Sequence, residues 1–293
     1  MPQVETTAGP IDADQLGKTL IHEHFRAQDE AVAVQWPHVH DEDAEYALAL
    51  ESANGVIGHG VKTVVEPTGM LLGRDVRVSK RIADDTGLQI VVCTGIYTYE
   101  YLPQFLANRD ADAIAELFVH DIEEGIQGTE IKAALIKCAA DEPGVTENIE
   151  KVHRAAARAS VRTGAPIMAH SRPAANTGPR QVEIFLEEGV APEKVQIAHT
   201  GDTDDLDYID GLLDKGVYIG LDRYGLDIFL PTEKRNATVL ALLERGHVDR
   251  MFLSQDYAVG IDWYPPAMIP STASGGNQSS ATTKSCEMNM RSA

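Results

Sequence analysis

Cysteine is scarce in this chain of 293 residues: Cys93, Cys138 and Cys286 are the whole set, with no close pairing. Neither a disulfide framework nor a structural zinc knuckle is predicted, and a reducing cytoplasm fits. Basic side chains are scarce too. The 25 lysines and arginines face 45 aspartates and glutamates, a formal charge of −20 and the wrong sign for binding phosphate backbones or anionic lipid. No nucleic-acid or membrane partner is expected. The opening MPQVETTAGPIDADQLG lacks a basic and an apolar leader, and no apolar run approaches the roughly 18 residues that cross a bilayer. No strand-like run is followed by GxGxxG or GxxxxGK[ST], so a dinucleotide fold or P-loop lacks its motif.

What is present reads as a globular chain, with hydrophobic residues at 43% and charged residues at 24%. Eight short apolar, β-branched runs recur: 19–25, 62–69, 88–98, 131–139, 165–171, 195–201, 217–225 and 251–258. Amphipathic stretches lie between them, among them 113–126, 148–164, 180–189 and 236–246, several closed by a glycine suited to a left-handed cap. Apolar strands alternating with helices predict a parallel sheet covered by helices, and eight such units in this length predict one α/β domain, a (β/α)8 TIM barrel over residues 1–265. An open doubly wound sheet is the fallback. Residues 266–293, rich in Ser, Thr, Asn and Gly, carry neither period nor cap and read as an irregular low-complexity tail, leaving the eighth strand without its helix.

Polar residues at the C-terminal ends of barrel strands point into the mouth. His22 and His24 stand two apart, so strand alternation puts both imidazoles on one face. His170 ends the fifth strand, His199 the sixth and Asp256 the eighth, and Lys137 closes the fourth. Imidazole with carboxylate is a ligand set for zinc or another first-row divalent ion. Lys137, flanked by Ile136 and Cys138, faces a desolvation penalty that lowers a lysine pKa. A neutral amine can add carbon dioxide, and the resulting carbamate can bridge two cations. The blander alternatives are a hydrogen-bonded structural role for each histidine and an ion pair from Lys137 to Asp141. His38, His40, His59, His120, His153 and His247 fall in loop or helix segments and are expected in solvent or at caps. The acidic runs DEDAE and DTDDLD are expected as solvated faces or helix N-terminal charges.

The stretches GKTLIHEHF, VCTGIYTYEYLP, FVHDIEEGIQGT, IKCAADEPGVT, HTGDTDDLDYI, IGLDRYGLDIFLP, KRNATVLALL and SQDYAVGIDWYP span roughly residues 8–265. They resemble the amidohydrolase superfamily and, within it, the phosphotriesterase family, most narrowly its phosphotriesterase-like lactonases. The resemblance implies two divalent ions, zinc, cobalt, iron or manganese. His22, His24 and Asp256 would hold the more buried one and His170 and His199 the more exposed one, bridged by Lys137 as N6-carboxylysine. It implies that Tyr97 lies over the exposed ion and Arg223 at the mouth. Trp263, after strand eight, would shape the substrate channel on a loop that joins a homodimer contact.

The implied activity is hydrolysis of lactones, N-acyl-homoserine lactones of the quorum-quenching kind or γ- and δ-lactones, by a hydroxide shared between the ions, with phosphotriesters as a side activity. Asp256 would carry the proton while Tyr97 and Arg223 position the ring. A primary phosphotriesterase (aryldialkylphosphatase), a mononuclear deaminase of the same superfamily and a catalytically inactive barrel are the alternatives. Two substitutions depart from the pattern, Gln255 where many relatives have histidine and Ala258 where close relatives often have cysteine. Relatives of this kind also continue into a longer loop and a final helix, so 266–293 is expected to be a truncated or frame-shifted end that leaves the first and eighth units less covered.

Overall fold

The computed structural model describes residues 2–263. Its first element went unread in the sequence: an antiparallel hairpin of β1 (Gln3–Thr6) and β2 (Gly9–Asp12), registered Gln3 to Asp12 and Thr6 to Gly9. Only Thr6 of these strands is buried, so the alternation that signals a strand is faint. Its place is set by Thr7 N–H, which donates to Ile90 O, while Val4 packs with Leu16 on a cluster of Val65, Val91, Cys93, Leu135, Met168 and Ala198.

The barrel follows in the predicted order. Strand one is split into β3 (Thr19–Leu20) and β4 (Glu23–His24). Then come β5 (Thr63–Glu66), β6 (Gln89–Gly95), β7 (Leu135–Ala139), β8 (Ile167–His170), β9 (Val195–Ala198) and β10 (Tyr218–Leu221). Strand eight is split as well, into β11 (Met251–Leu253) and β12 (Tyr257–Ala258). Eight strands pair in parallel as β11-β10-β9-β8-β7-β6-β5-β3, and the upper pieces close the circle, Tyr257 opposite Glu23 and Ala258 opposite His24. All eight predicted runs are therefore strands of the sheet, and the barrel, not the open sheet, is the fold.

Helices cover it: α1 (Glu30–Gln35), α2 (Glu42–Gly58), α3 (Val76–Thr86), α4 (Gln104–Ala107), α5 (Ala111–Glu123), α6 (Glu147–Thr163), α7 (Thr177–Glu187), α8 (Leu206–Leu213) and α9 (Thr232–Glu244). In α6 the cause is local and visible: the Thr146 hydroxyl caps Ile149 N–H, Gly164 ends the helix at φ 78°, and the Ile149, Val152, Ala156 and Ala159 stripe is buried. The acidic runs sit where macrodipoles favour them, Asp41 capping α2 and Asp205 capping α8. Cys93 and Cys138 are buried and unpaired. No described helix is long and apolar enough to cross a membrane. The expected low-complexity tail, its missing eighth helix and Cys286 lie outside the described residues.

Two histidines correct the expectation. His153 is fully buried on the inner face of α6, its Nδ1 2.7 Å from Ile149 O and its ring stacked on Phe185. His40 is largely buried between Glu45 and Asp262, with Nδ1 3.1 Å from Glu45 Oε1. A lone histidine outside a strand end carries no sequence signal that separates a satisfied core position from a solvated one.

Candidate metal centre

The barrel's C-terminal mouth brings the six expected ligands together. His22 Nε2 lies 2.9 Å from Lys137 Nζ and 3.4 Å from Asp256 Oδ1. His24 Nε2 is 3.2 Å from Asp256 Oδ1, and His199 Nδ1 is 3.8 Å from Asp256 Oδ2. The His170 ring centroid is 4.4 Å from that of His199. Among the described residues, His22, His199 and Asp256 form the group that offers three ligand atoms within 4.8 Å of one another. His24 and His170 stand beside that group with their nitrogens already engaged: His24 Nδ1 with Thr68, and His170 Nδ1 with Tyr97 and Nε2 with Asp141.

Lys137 does not meet Asp141. That carboxylate takes His170 and Arg172 instead, at 2.9 and 3.0 Å, while the fully buried Lys137 amine has Met168 Sδ at 3.5 Å as its other neighbour. Burial pushes its pKa down to about 8, against the opposing pull of Asp256. The adjacent strand yields to it. Gly95 stands opposite Lys137 in the ladder at φ 111°, and a Cβ there would come 1.9 Å from Lys137 O.

The donor set fits divalent cations in the protonation states that ligation needs. Burial, then the nearby Lys137, pushes the His22 imidazole down to about 4, and burial, then Arg223, holds His199 well below its ordinary value. Burial alone would raise the Asp256 carboxyl, yet His22, His199 and Arg223 outweigh it and hold the group ionised. Two of the five described non-glycine residues with positive φ are members of this set, His199 at 63° and Asp256 at 51°. Backbone strain of that kind persists only where surrounding bonds over-determine it.

The rim is aromatic and basic. Tyr97 OH is 3.1 Å from His170 Nδ1 and 2.7 Å from Tyr99 OH, and its ring centroid lies 5.8 Å from that of Trp263. Burial, then Tyr99, holds the Tyr97 phenol well above its ordinary pKa, so it stays protonated. Arg223 is anchored rather than free: Nε donates to Asp256 Oδ2 and Nη1 to Asp202 Oδ2, both at 2.8 Å.

Several partners went unnamed in the sequence. Asp222 is fully buried and bridges two imidazoles, with Oδ2 2.8 Å from His22 Nδ1 and Oδ1 3.0 Å from His199 Nδ1. Outer carboxylates of this kind fix ring orientation and tautomer. Gly220 leaves its room, since a Cβ there would come 2.5 Å from Asp222 Oδ2. The signal existed: an aspartate directly before Arg223 at a strand's polar end. Thr68, Tyr99 and Asp202 carried no comparable mark. Behind the mouth, Gln181 Nε2 spans from His153 Nε2 at 2.9 Å to His170 O at 2.8 Å, tying α6 and α7 to the end of β8.

A closed parallel barrel whose C-terminal mouth gathers imidazoles, carboxylates and a buried lysine defines a barrel enzyme with a candidate metal centre. Known proteins narrow that class. The family model described as the phosphotriesterase family matches residues 2–271. An aryldialkylphosphatase from Saccharolobus solfataricus is 50% identical over 266 residues, covering 89% of this chain and 85% of that protein. The solved structure of the phosphotriesterase from Mycobacterium tuberculosis superposes with a TM-score of 0.88 at 40% identity, covering 92% of this chain and 86% of that one. The N-acetyltaurine hydrolase of Rattus norvegicus is 26% identical, covering 87% and 84%. The chain belongs to the phosphotriesterase family and is a hydrolase.

Proposed function

We propose that the chain is a metal-dependent lactonase, opening N-acyl-homoserine lactones or simpler γ- and δ-lactones, with phosphotriester cleavage as a side activity. One observation carries this: a neutralisable buried lysine lies 2.9 Å from His22 at the heart of a histidine–aspartate cluster. His22, His24 and Asp256 would hold one divalent ion, His170 and His199 a second, and Lys137 as a carbamate would join the two sets. Forming it creates a bond from Nζ to the carbon of CO2 and releases one proton from the amine. Two such ions supply Lewis-acid polarisation of the scissile carbonyl and acidify the attacking water.

The chain's own groups do the rest. Asp256, ionised and gripped by Arg223, accepts a proton at Oδ1 and returns it to the leaving alkoxide. Tyr97 keeps its phenolic proton and donates it as a hydrogen bond to the ring ester, with Trp263 and Tyr99 forming the apolar wall. Arg223 fixes the carboxylate that faces the substrate. The relative named for hydrolysis of an acyl amide supports an acyl substrate.

The rival reading, a primary aryldialkylphosphatase, is favoured by the name of the 50% identical relative. Metal-loaded protein is expected to show a higher kcat/KM on a γ-lactone or an N-acyl-homoserine lactone than on paraoxon. The opposite order would hand the assignment to the phosphatase, one ion per chain would favour a mononuclear deaminase, and no turnover of either substrate would leave an inactive barrel. The proposal extends to a homodimer and to residues 1–265 as the catalytic domain.

A further inference from the structure

Asp256 occupies a left-handed backbone conformation, φ 51°, at the break between β11 and β12. A non-glycine residue adopts that conformation uncommonly, and it persists where surrounding bonds hold it. The three consecutive amides around it all donate to strand one. Gln255 N–H reaches Glu23 Oε1 at 2.9 Å, Asp256 N–H reaches His22 O at 3.0 Å, and Tyr257 N–H reaches Glu23 Oε2 at 3.0 Å. Glu23 Oε1 also accepts the Ser254 hydroxyl at 2.6 Å, and Ser254 Oγ in turn accepts His22 N–H at 3.1 Å. The result is a relay of two hydrogen bonds, from His22 N–H through the Ser254 hydroxyl to Glu23. Strand alternation turns Glu23 away from the side on which His22 and His24 lie, and the carboxylate is buried.

We propose that Glu23 is a positioning residue for Asp256: its carboxylate grips the amides on both sides of that one residue and so sets where the Asp256 carboxylate stands against His22 and His24. The inference rests on the metal-centre reading of Asp256. Barrel closure has other bonds, Val259 N–H to His24 O at 3.0 Å and the bridge between Ala27 and Ile261. The Glu23 contacts instead converge on the strained residue. All three partners donate, so a carboxylate serves where an amide fails: Glu23→Gln puts an NH2 group against an N–H.

The test uses the full chain, titrated with Co2+ alone by visible absorption and assayed on a γ-lactone. Glu23→Gln is expected to bind Co2+ about 10–100-fold more weakly and to lose kcat by a similar factor, with KM unchanged, the scale of groups that orient metal ligands. Ser254→Ala, which leaves the carboxylate and both amide bonds, should move both readouts in the same direction by a few fold. A merely structural Glu23 would lower the melting temperature and leave Co2+ affinity and kcat per folded chain intact, and that result overturns the proposal. Should Glu23→Gln not fold, Glu23→Asp, whose shorter side chain cannot reach both amides, takes its place, and wild-type Co2+ affinity and kcat there overturn it equally. A wild-type chain that binds no Co2+ sinks the metal-centre reading and this inference together, whereas normal wild-type binding beside an unchanged Glu23→Gln sinks this inference alone.

Discussion

The barrel mouth and the outer face of α6 and α7 are both crowded with charge-paired side chains at nearly the same distances. In the mouth, Arg223 meets Asp256 and Asp202 at 2.8 Å, and Arg235 meets Asp202 at 2.8 Å. On the outer face, Arg154 meets Glu187 at 2.8 Å and Glu188 at 2.9 Å, and Arg158 meets Asp112 at 2.8 Å. What separates them is water. An exposed pair contributes roughly 0–1 kcal/mol, because solvent and salt screen it. A buried charge stripped of its partner costs about 3–5 kcal/mol, so each buried group has to be matched. Proximity therefore says little about function, and burial of ionisable groups says a great deal.

The sharpest way to break this contrast is to remove the buried amine. Lys137→Ala is expected to abolish bound metal and to lower lactone turnover on the order of 10³-fold, the loss seen when a preorganised charged or polar contact leaves a catalytic site. Elemental analysis beside kinetics checks it. A Lys137→Ala protein that keeps two ions and its activity would place the chemistry elsewhere.

His153 tests the same contrast within one helix, since it faces the core while Arg154, the next residue, faces solvent. Burial pushes its pKa from 6.5 down to about 4. The unfolded chain thus takes up a proton as pH falls through 6.5, and the folded chain resists until about 4. Stability is full above that window and is lost across it, by about 3 kcal/mol from this one group. Unfolding free energies of wild type and His153→Gln, taken from melting curves between pH 7 and 4, should change relative to each other by that amount across the window. His22 is held near the same value but titrates in both proteins and drops out of the difference. Parallel curves would show that His153 is not the proton-linked group.

The contrast also explains what could be read in advance. Each barrel strand announced itself as a short apolar run ending in a polar residue, because a parallel strand buried on both faces has no solvent side to encode. His22, His24, Lys137, His170, His199 and Asp256 were legible for the same reason: each breaks an apolar pattern at a strand's end, where a polar group needs a purpose. Asp222 obeys the same rule but is harder to read, because Arg223 directly after it is the more conspicuous break in the apolar run. Glu23 lay inside the HEH motif, and its role depends on where Ser254 and Tyr257 arrive from 231 and 234 residues away. The hairpin β1–β2 was invisible because its strands are mostly half-buried, with no buried–exposed alternation, and it is fixed by a contact to β6. His153 and Gln181 look like any polar residue on an amphipathic helix until the facing helix is in place.

The smallest effect belongs to the outer face, and it is the one that keeps the distinction honest. Arg158 grips Glu188 through two nitrogens, Nε at 2.9 Å and Nη2 at 3.1 Å, and reaches Asp112 with a third. By hydrogen-bond count it looks as well anchored as Arg223. Yet its guanidinium is partly exposed, Asp112 is 77% exposed, and Glu188 retains Arg154 at 2.9 Å when Arg158 is gone. No charge is stranded in a dry site. Arg158→Ala is therefore expected to cost no more than about 1 kcal/mol, which for a chain of this size is a melting shift of about 2–4 °C. The shift should shrink in 1 M salt, where the screening length falls to about 3 Å, and kcat should not move. A loss of several kcal/mol that survives high salt would mean the outer network acts as a buried one does, and burial would no longer separate the two regions.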